Sequence, residues 1–146
     1  MDIELLRLRV SAEEINALVK EHVPAETGVR DLRIVPTADG VQMTGRYSGM
    51  LLPMPFDLLW VCSVVEGQIQ AQLTQVRVAG FPATKLRGVL LGVVAENLAN
   101  LPGLQIKDDV IRLDVNTFLQ ARSIPIRVTP SAVHCQPGLI VLEAGC

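Results

Sequence analysis

The side chains able to do chemistry are few, and they stand apart along the chain. His22 sits one residue off the apolar face of a predicted helix, and His134 falls in a late strand. Neither has a nucleophile and a carboxylate beside it. Cys135 follows His134 directly, but adjacent strand residues point to opposite faces, so the two cannot act as thiolate and base. Cys62, Cys135 and Cys146 are an odd set with no CxxC spacing, which reads neither as a disulfide framework nor as a metal site. Reduced thiols in a cytoplasm-like compartment are the expectation. Asp108, Asp109 and Asp114 make a small acidic group whose spacing matches no calcium loop; turn and helix-cap duty is expected of all three. Gly80-Phe81-Pro82, ahead of a helix, could hold an anion on free N–H groups. Lys85 and Arg87 stand in the first turn of that helix, where positive charge opposes the dipole. A phosphate head group bound there is the sharper reading, and a solvated helix start the plainer one. No catalytic residue, metal or cofactor emerges, and the chain is not expected to be an enzyme.

The elements that would position these groups are written in two rhythms. Ser11-Ala12-Glu13-Glu14 is a capping box. Ile15, Leu18, Val19 and Val23 follow on one helical face, until Pro24 and Gly28 close the helix. From Gly28 the period becomes two. Leu32 to Val35, then Asp39-Gly40, then Val41, Met43 and Gly45 alternating with Gln42, Thr44 and Arg46, spell a hairpin with one wet face. Phe56 to Val65 turns at Glu66-Gly67 and returns as Gln68 to Leu73. The apolar parity then slips to Val76 and Val78, which predicts a β-bulge near Thr74-Gln75. Gly80-Phe81-Pro82 breaks the sheet, and Thr84 caps a second helix that runs to about Leu101. Short strands at 104–106 and 110–113 follow, turning at Asp108-Asp109, and Asp114 caps a short helix. Strands at 124–128 and 139–142 close the chain. The order, helix, strands, helix, strands, predicts one α+β domain over residues 1–146: a curved antiparallel sheet wrapped on an N-terminal helix and a central apolar helix.

That second helix carries the functional expectation. Gly88, Gly92, Ala95 and Ala99 fall on one narrow side, while Leu86, Val89, Leu90, Val93 and Val94 cover much of the rest. A helix apolar nearly all round is a buried one. Hydrophobic residues make up 49% of the chain against 19% charged, and the mean hydropathy is +0.37, more apolar surface than a small core consumes. Two sinks follow. An apolar small molecule, lipid-like, would lie in a groove lined by Leu86, Leu90, Val93, Val94, Leu98 and Trp60. Alternatively, Gly88, Gly92, Ala95 and Ala99 let a second copy come close, making a self-associating homodimer. Met50-Leu51-Leu52, in an unusually apolar loop, could touch a membrane surface or cover a pocket mouth.

Composition excludes other classes. The net charge is −2, no basic stripe is present and aromatics are 3%, so nucleic-acid binding is not expected. The greasiest window, residues 50–65, contains Pro53, Pro55 and Asp57 and is too short to span a bilayer as a helix. Met1-Asp2-Ile3-Glu4 opens no signal peptide, which agrees with a cytoplasmic setting.

The layout also carries a resemblance. A capped helix precedes Gly28-Val29-Arg30-Asp31-Leu32-Arg33-Ile34; a meander ends in Val76-Arg77-Val78-Ala79-Gly80-Phe81-Pro82 before an apolar helix; Val110-Ile111-Arg112-Leu113-Asp114 leads into a short helix and a closing hairpin. This rhythm resembles the LmeA-like bacterial phospholipid-binding proteins, related to the tubular lipid-binding (BPI-like) superfamily. The resemblance implies a half-barrel sheet curled on helices, with acyl chains in the groove between them and no catalytic residues. The chain differs from that pattern in opening without a secretion signal.

Overall fold

The structure is a computed structural model that describes residues 6–22, 29–47, 54–79, 81–82, 87–98 and 101–145. In chain order the elements are β1 (Leu6–Ser11), α1 (Ala12–His22), β2 (Val29–Thr37), β3 (Gly40–Tyr47), β4 (Met54–Val65), β5 (Gln68–Val78), β6 (Phe81–Pro82), α2 (Arg87–Leu98), β7 (Leu104–Lys107), β8 (Val110–Leu113), α3 (Val115–Ala121), β9 (Thr129–Gln136) and β10 (Leu139–Gly145). This is an α+β arrangement with antiparallel pairing throughout.

The strands divide into two sheets instead of the single sheet expected. The larger has the order β2-β3-β4-β5-β8-β7, and β6 also pairs with β5; the smaller has the order β1-β10-β9. β1 is an addition to the sequence reading, although Leu6, Leu8 and Val10 alternate with exposed Arg7 and Arg9 as a half-buried strand should. The expected strand at 124–128 does not form. That stretch is exposed up to Arg127, with Ile124 37% and Ile126 47% accessible, and β9 begins only at Thr129. Pro125 has no N–H for a ladder there. Phe81–Pro82, expected to break the sheet, instead fold back on the end of β5 as β6. β8 pairs with the start of β5 and β6 with its end.

Turn and cap chemistry set these elements as the sequence indicated. The Glu14 N–H donates to Ser11 Oγ at 3.2 Å, and the Ser11 N–H donates back to Glu14 Oε1 at 3.2 Å, so the capping box starts α1. Asp114 Oδ1 accepts from the N–H groups of Asn116 and Thr117 at 3.1 and 3.3 Å and starts α3. In the β4–β5 ladder Leu59 faces Gln75 while Trp60 faces Leu73. Thr74 is therefore the extra residue of a bulge, and its hydroxyl donates to the Leu59 carbonyl at 3.1 Å. Gly40 must be glycine: its φ is +146°, and a Cβ there would run into the carbonyl oxygen of Trp60. At Gly45 the Phe56 ring occupies the space a side chain would need, 2.9 Å from the ideal Cβ.

Two apolar clusters hold the layers together. The principal one joins Val19 of α1, Met43 of β3, Phe56, Leu58 and Trp60 of β4, Leu73 and Val76 of β5, and Leu90, Val94 and Leu98 of α2. Cys135 and Ile140 of the small sheet pack against it. The second gathers Val115, Val128, Leu142 and Ala144, with Leu6, Leu8 and Ile69 at its margin. Helices thus cover part of the large sheet, and β9 lies against β4 and β5.

The β2 edge is sealed by side-chain and turn contacts. Asn16 Nδ2 donates to the Ile34 carbonyl at 2.7 Å, and the Ile34 N–H donates to Asn16 Oδ1 at 2.6 Å. One amide thus imitates a neighbouring strand for one residue of an edge that would otherwise invite pairing. The Gly138 N–H donates to the Pro36 carbonyl at 2.8 Å, and the Gly138 carbonyl accepts from Ala12 at 2.9 Å. The tip of the β9–β10 hairpin is thereby stitched to both β2 and α1.

Candidate functional site

The residues expected to line an apolar groove converge, but as core. Phe56, Leu58 and Trp60 alternate inward along β4. Leu90, Val94 and Leu98 recur every four residues and so share one side of α2. Trp60 is 1% exposed, Leu90 2%, Val94 3% and Leu98 4%, all in the principal cluster. These four side chains are buried members of one apolar cluster. Leu86 lies outside the described residues, as does the side chain of Val93.

One polar atom breaks the apolar layer. Trp60 Nε1 is fully buried and has no hydrogen-bond partner among the described residues. A buried indole N–H normally finds an acceptor, and leaving it without one costs about 1–3 kcal/mol. Its sequence neighbours gave no sign of this.

The small-residue side of α2 faces away. Gly88 and Gly92 are exposed, and a Cβ at either would meet nothing within 4 Å. Ala95 is half-buried, and Ala99 lies outside the described residues. Within the single chain, then, the described residues leave this strip open. Helical geometry is the reason: Gly88 and Gly92 stand roughly opposite Leu90, Val94 and Leu98 at about 100° per residue.

The anion reading at the start of α2 loses Arg87 as a free cation. Arg87 forms an ion pair with Asp109 Oδ2 and donates to the Leu73 carbonyl at 3.3 Å. Its charge is spent tying α2 to the β7–β8 turn and β5. Lys85 lies outside the described residues. Asp109 is thereby an ion-pair partner, Asp108 a turn residue with φ +55°, and Asp114 the α3 cap. Met50-Leu51-Leu52 also falls outside the described residues. Among the described residues no helix is long and apolar enough to cross a membrane, and no three His, Cys, Asp or Glu side chains gather as a metal site would require.

Two juxtapositions were not visible in the sequence. On the outer face of the small sheet, Arg9, Val141 and His134 form one row across β1, β10 and β9. They line a shallow depression of about 400 Å³ that includes the Arg7–Glu143 ion pair. Between the sheets, Cys62 of β4 meets Cys135 of β9. The Cys62 thiol donates a hydrogen bond to the Cys135 sulfur, which lowers the Cys135 thiol to about 7 against the opposing effect of burial. That bond, then burial, pushes the Cys62 thiol upward. His134 points the other way from Cys135 and is exposed, as strand alternation requires.

Set against protein-family models, curated proteins and solved structures, the chain matches none of them.

Proposed function

We propose that this chain is a non-enzymatic binding module for an apolar, lipid-like molecule held between α2 and the Trp60 face of the large sheet. The observation that carries the reading is the buried Trp60 indole N–H with no acceptor among the described residues. A ligand carrying an ester, amide or carboxyl oxygen on an aliphatic body would complete that hydrogen bond while its chain stays in apolar surroundings. Each methylene taken from water contributes about 0.8 kcal/mol, so a medium acyl chain outweighs the cost of parting a few side-chain contacts. α2 is the element that would give way. Among the described residues it is held by Leu90, Val94, Leu98 and the Arg87–Asp109 pair. The apolar excess in the composition and the resemblance to LmeA-like half-barrel proteins support the same reading.

Trp60 is the only tryptophan, so its emission reports on the site directly. Titration with a fluorescent fatty acid should quench or transfer Trp60 emission saturably, and native mass spectrometry of freshly purified protein should show co-purified lipid. Trp60→Phe removes the donor and should weaken uptake, read from the probe's own fluorescence, about tenfold, the worth of one hydrogen bond of roughly 1.4 kcal/mol. Protein that purifies clean and takes up no fatty acid rules the proposal out.

A second reading rests on the open glycine side of α2. Exposed Gly88 and Gly92, with nothing within 4 Å of either ideal Cβ, form a flat strip on which a second copy's helix could lie closely in an isologous dimer. Light scattering at micromolar concentration tests it. A dimer that Gly92→Leu weakens supports this reading, and a strict monomer ends it.

A further inference from the structure

We infer that Cys62 and Cys135 are a dithiol pair that closes reversibly into a disulfide between the two sheets. The inference rests on placement. Inward parity along β4 runs through Phe56, Leu58 and Trp60 to Cys62, and β9 lies against β4. Both side chains pack against the principal cluster, close enough for the two thiols to interact. Both are only partly buried, so a small oxidant reaches them without unfolding the chain. Neither takes part in a described metal cluster or ion pair. Two thiols on facing strands are brought together by the packing of the sheets, whereas the distance along the chain hides the pairing.

The chemistry balances with a low-molecular-weight disulfide such as oxidised glutathione as the electron acceptor. The Cys135 thiolate, the more readily formed of the two, attacks one glutathione sulfur; an S–S bond forms to Cys135, and the first glutathione leaves as thiolate. Cys62 then loses its proton to solvent and attacks the Cys135 sulfur, expelling the second glutathione thiolate. Two cysteines have lost two electrons and two protons, and one glutathione disulfide has become two glutathione thiols. The product joins β4 to β9 and closes a loop of about 75 residues in the unfolded chain, a long loop whose closure is strongly stabilising.

The test uses the full chain with Cys146→Ser, because residues 128–146 would otherwise carry two cysteines in one tryptic peptide. The reduced protein is incubated with oxidised glutathione at pH 8 and quenched with acid. The expected product has lost two hydrogens in mass, titrates no free thiol and yields peptide 47–77 linked to peptide 128–146. Its Tm should rise by about 10 °C and return to the starting value with dithiothreitol. Cys62→Ser, added to the same background, should stop at a mixed disulfide on Cys135. Protein that retains two titratable thiols, stops at glutathione adducts with both cysteines present, or forms only intermolecular dimers overturns the inference. So does an intramolecular disulfide that leaves Tm unchanged or lowers it.

Discussion

Replacing Asn16 by alanine removes three hydrogen bonds at once: two that bind the backbone of Ile34 at 2.6 and 2.7 Å, and one to the Ala12 carbonyl at 2.8 Å. The third costs little, because a helical carbonyl keeps its own N–H partner. The first two matter because Ile34 is only 8% exposed, so water reaches its N–H and C=O poorly once the amide is gone. Two lost bonds at about 1 kcal/mol each, plus incomplete rehydration of both groups, give a loss of about 2–4 kcal/mol. The better helix propensity of alanine returns about 0.5 kcal/mol of it. Urea unfolding should show the midpoint falling at unchanged slope, and Tm should drop by about 5–10 °C for a chain of this size. Asn116 is a second instance, since its amide brackets Val128 at 2.8 Å on both sides and Val128 is 3% exposed. Asn116→Ala should therefore cost a similar amount. If both variants lose less than about 0.5 kcal/mol, the amides are not completing buried backbone groups, and the account of the sealed β2 edge is wrong.

Three further outcomes follow from the same geometry. Gly40→Ala should destabilise by at least about 2 kcal/mol, from a left-handed φ and collision with the Trp60 carbonyl; a thermal melt like wild type would deny that close approach. Arg87→Met should cost about 1 kcal/mol, since its pair with Asp109 is one-third exposed, and should speed amide exchange in α2 before other elements; uniform exchange would show that the pair does not anchor the helix. In the reduced Cys146→Ser protein, alkylation of Cys135 should be half-maximal near pH 7, and Cys62→Ala should move that midpoint upward. Because the folded value for Cys135 lies below the ordinary 9.0, its contribution to stability is lost as pH falls through 7 and grows from 7 toward 9. Cys62, raised in the folded chain, acts with the opposite sign above 9. Reduced-protein stability that is flat across this range would contradict the thiol–thiol contact.

Local chemistry made much of the fold legible before any coordinates. The Ser11–Glu14 box, the Asp39-Gly40 and Glu66-Gly67 turns, the Thr74 bulge and the Asp114 cap all work over three or four residues, so neighbours in sequence are sufficient to reveal them. The strand expected at 124–128 shows where local signals mislead. Ile124, Ile126 and Val128 alternate correctly, yet only Val128 is buried, because pairing partners and not alternation decide whether a strand exists. α2 shows the same weakness. Its apolar residues lie on every side, so periodicity could not choose between the Leu90–Val94–Leu98 side, which is core, and the Gly88–Gly92 side, which is open.

By itself, then, the amino-acid order determined the class, α+β with antiparallel hairpins, and the start and stop of most elements, because caps, turns and two-residue alternation are short-range effects. The tertiary structure alone decided that the ten described strands form two sheets, that β1 pairs with β10 across nearly the whole chain, and that Arg87 answers Asp109. It alone brought Cys62 and Cys135 together and buried the Trp60 N–H within the apolar core. Such contacts join residues far apart in sequence, and their energies depend on which surfaces are buried together, a property of the packed chain that no local window contains.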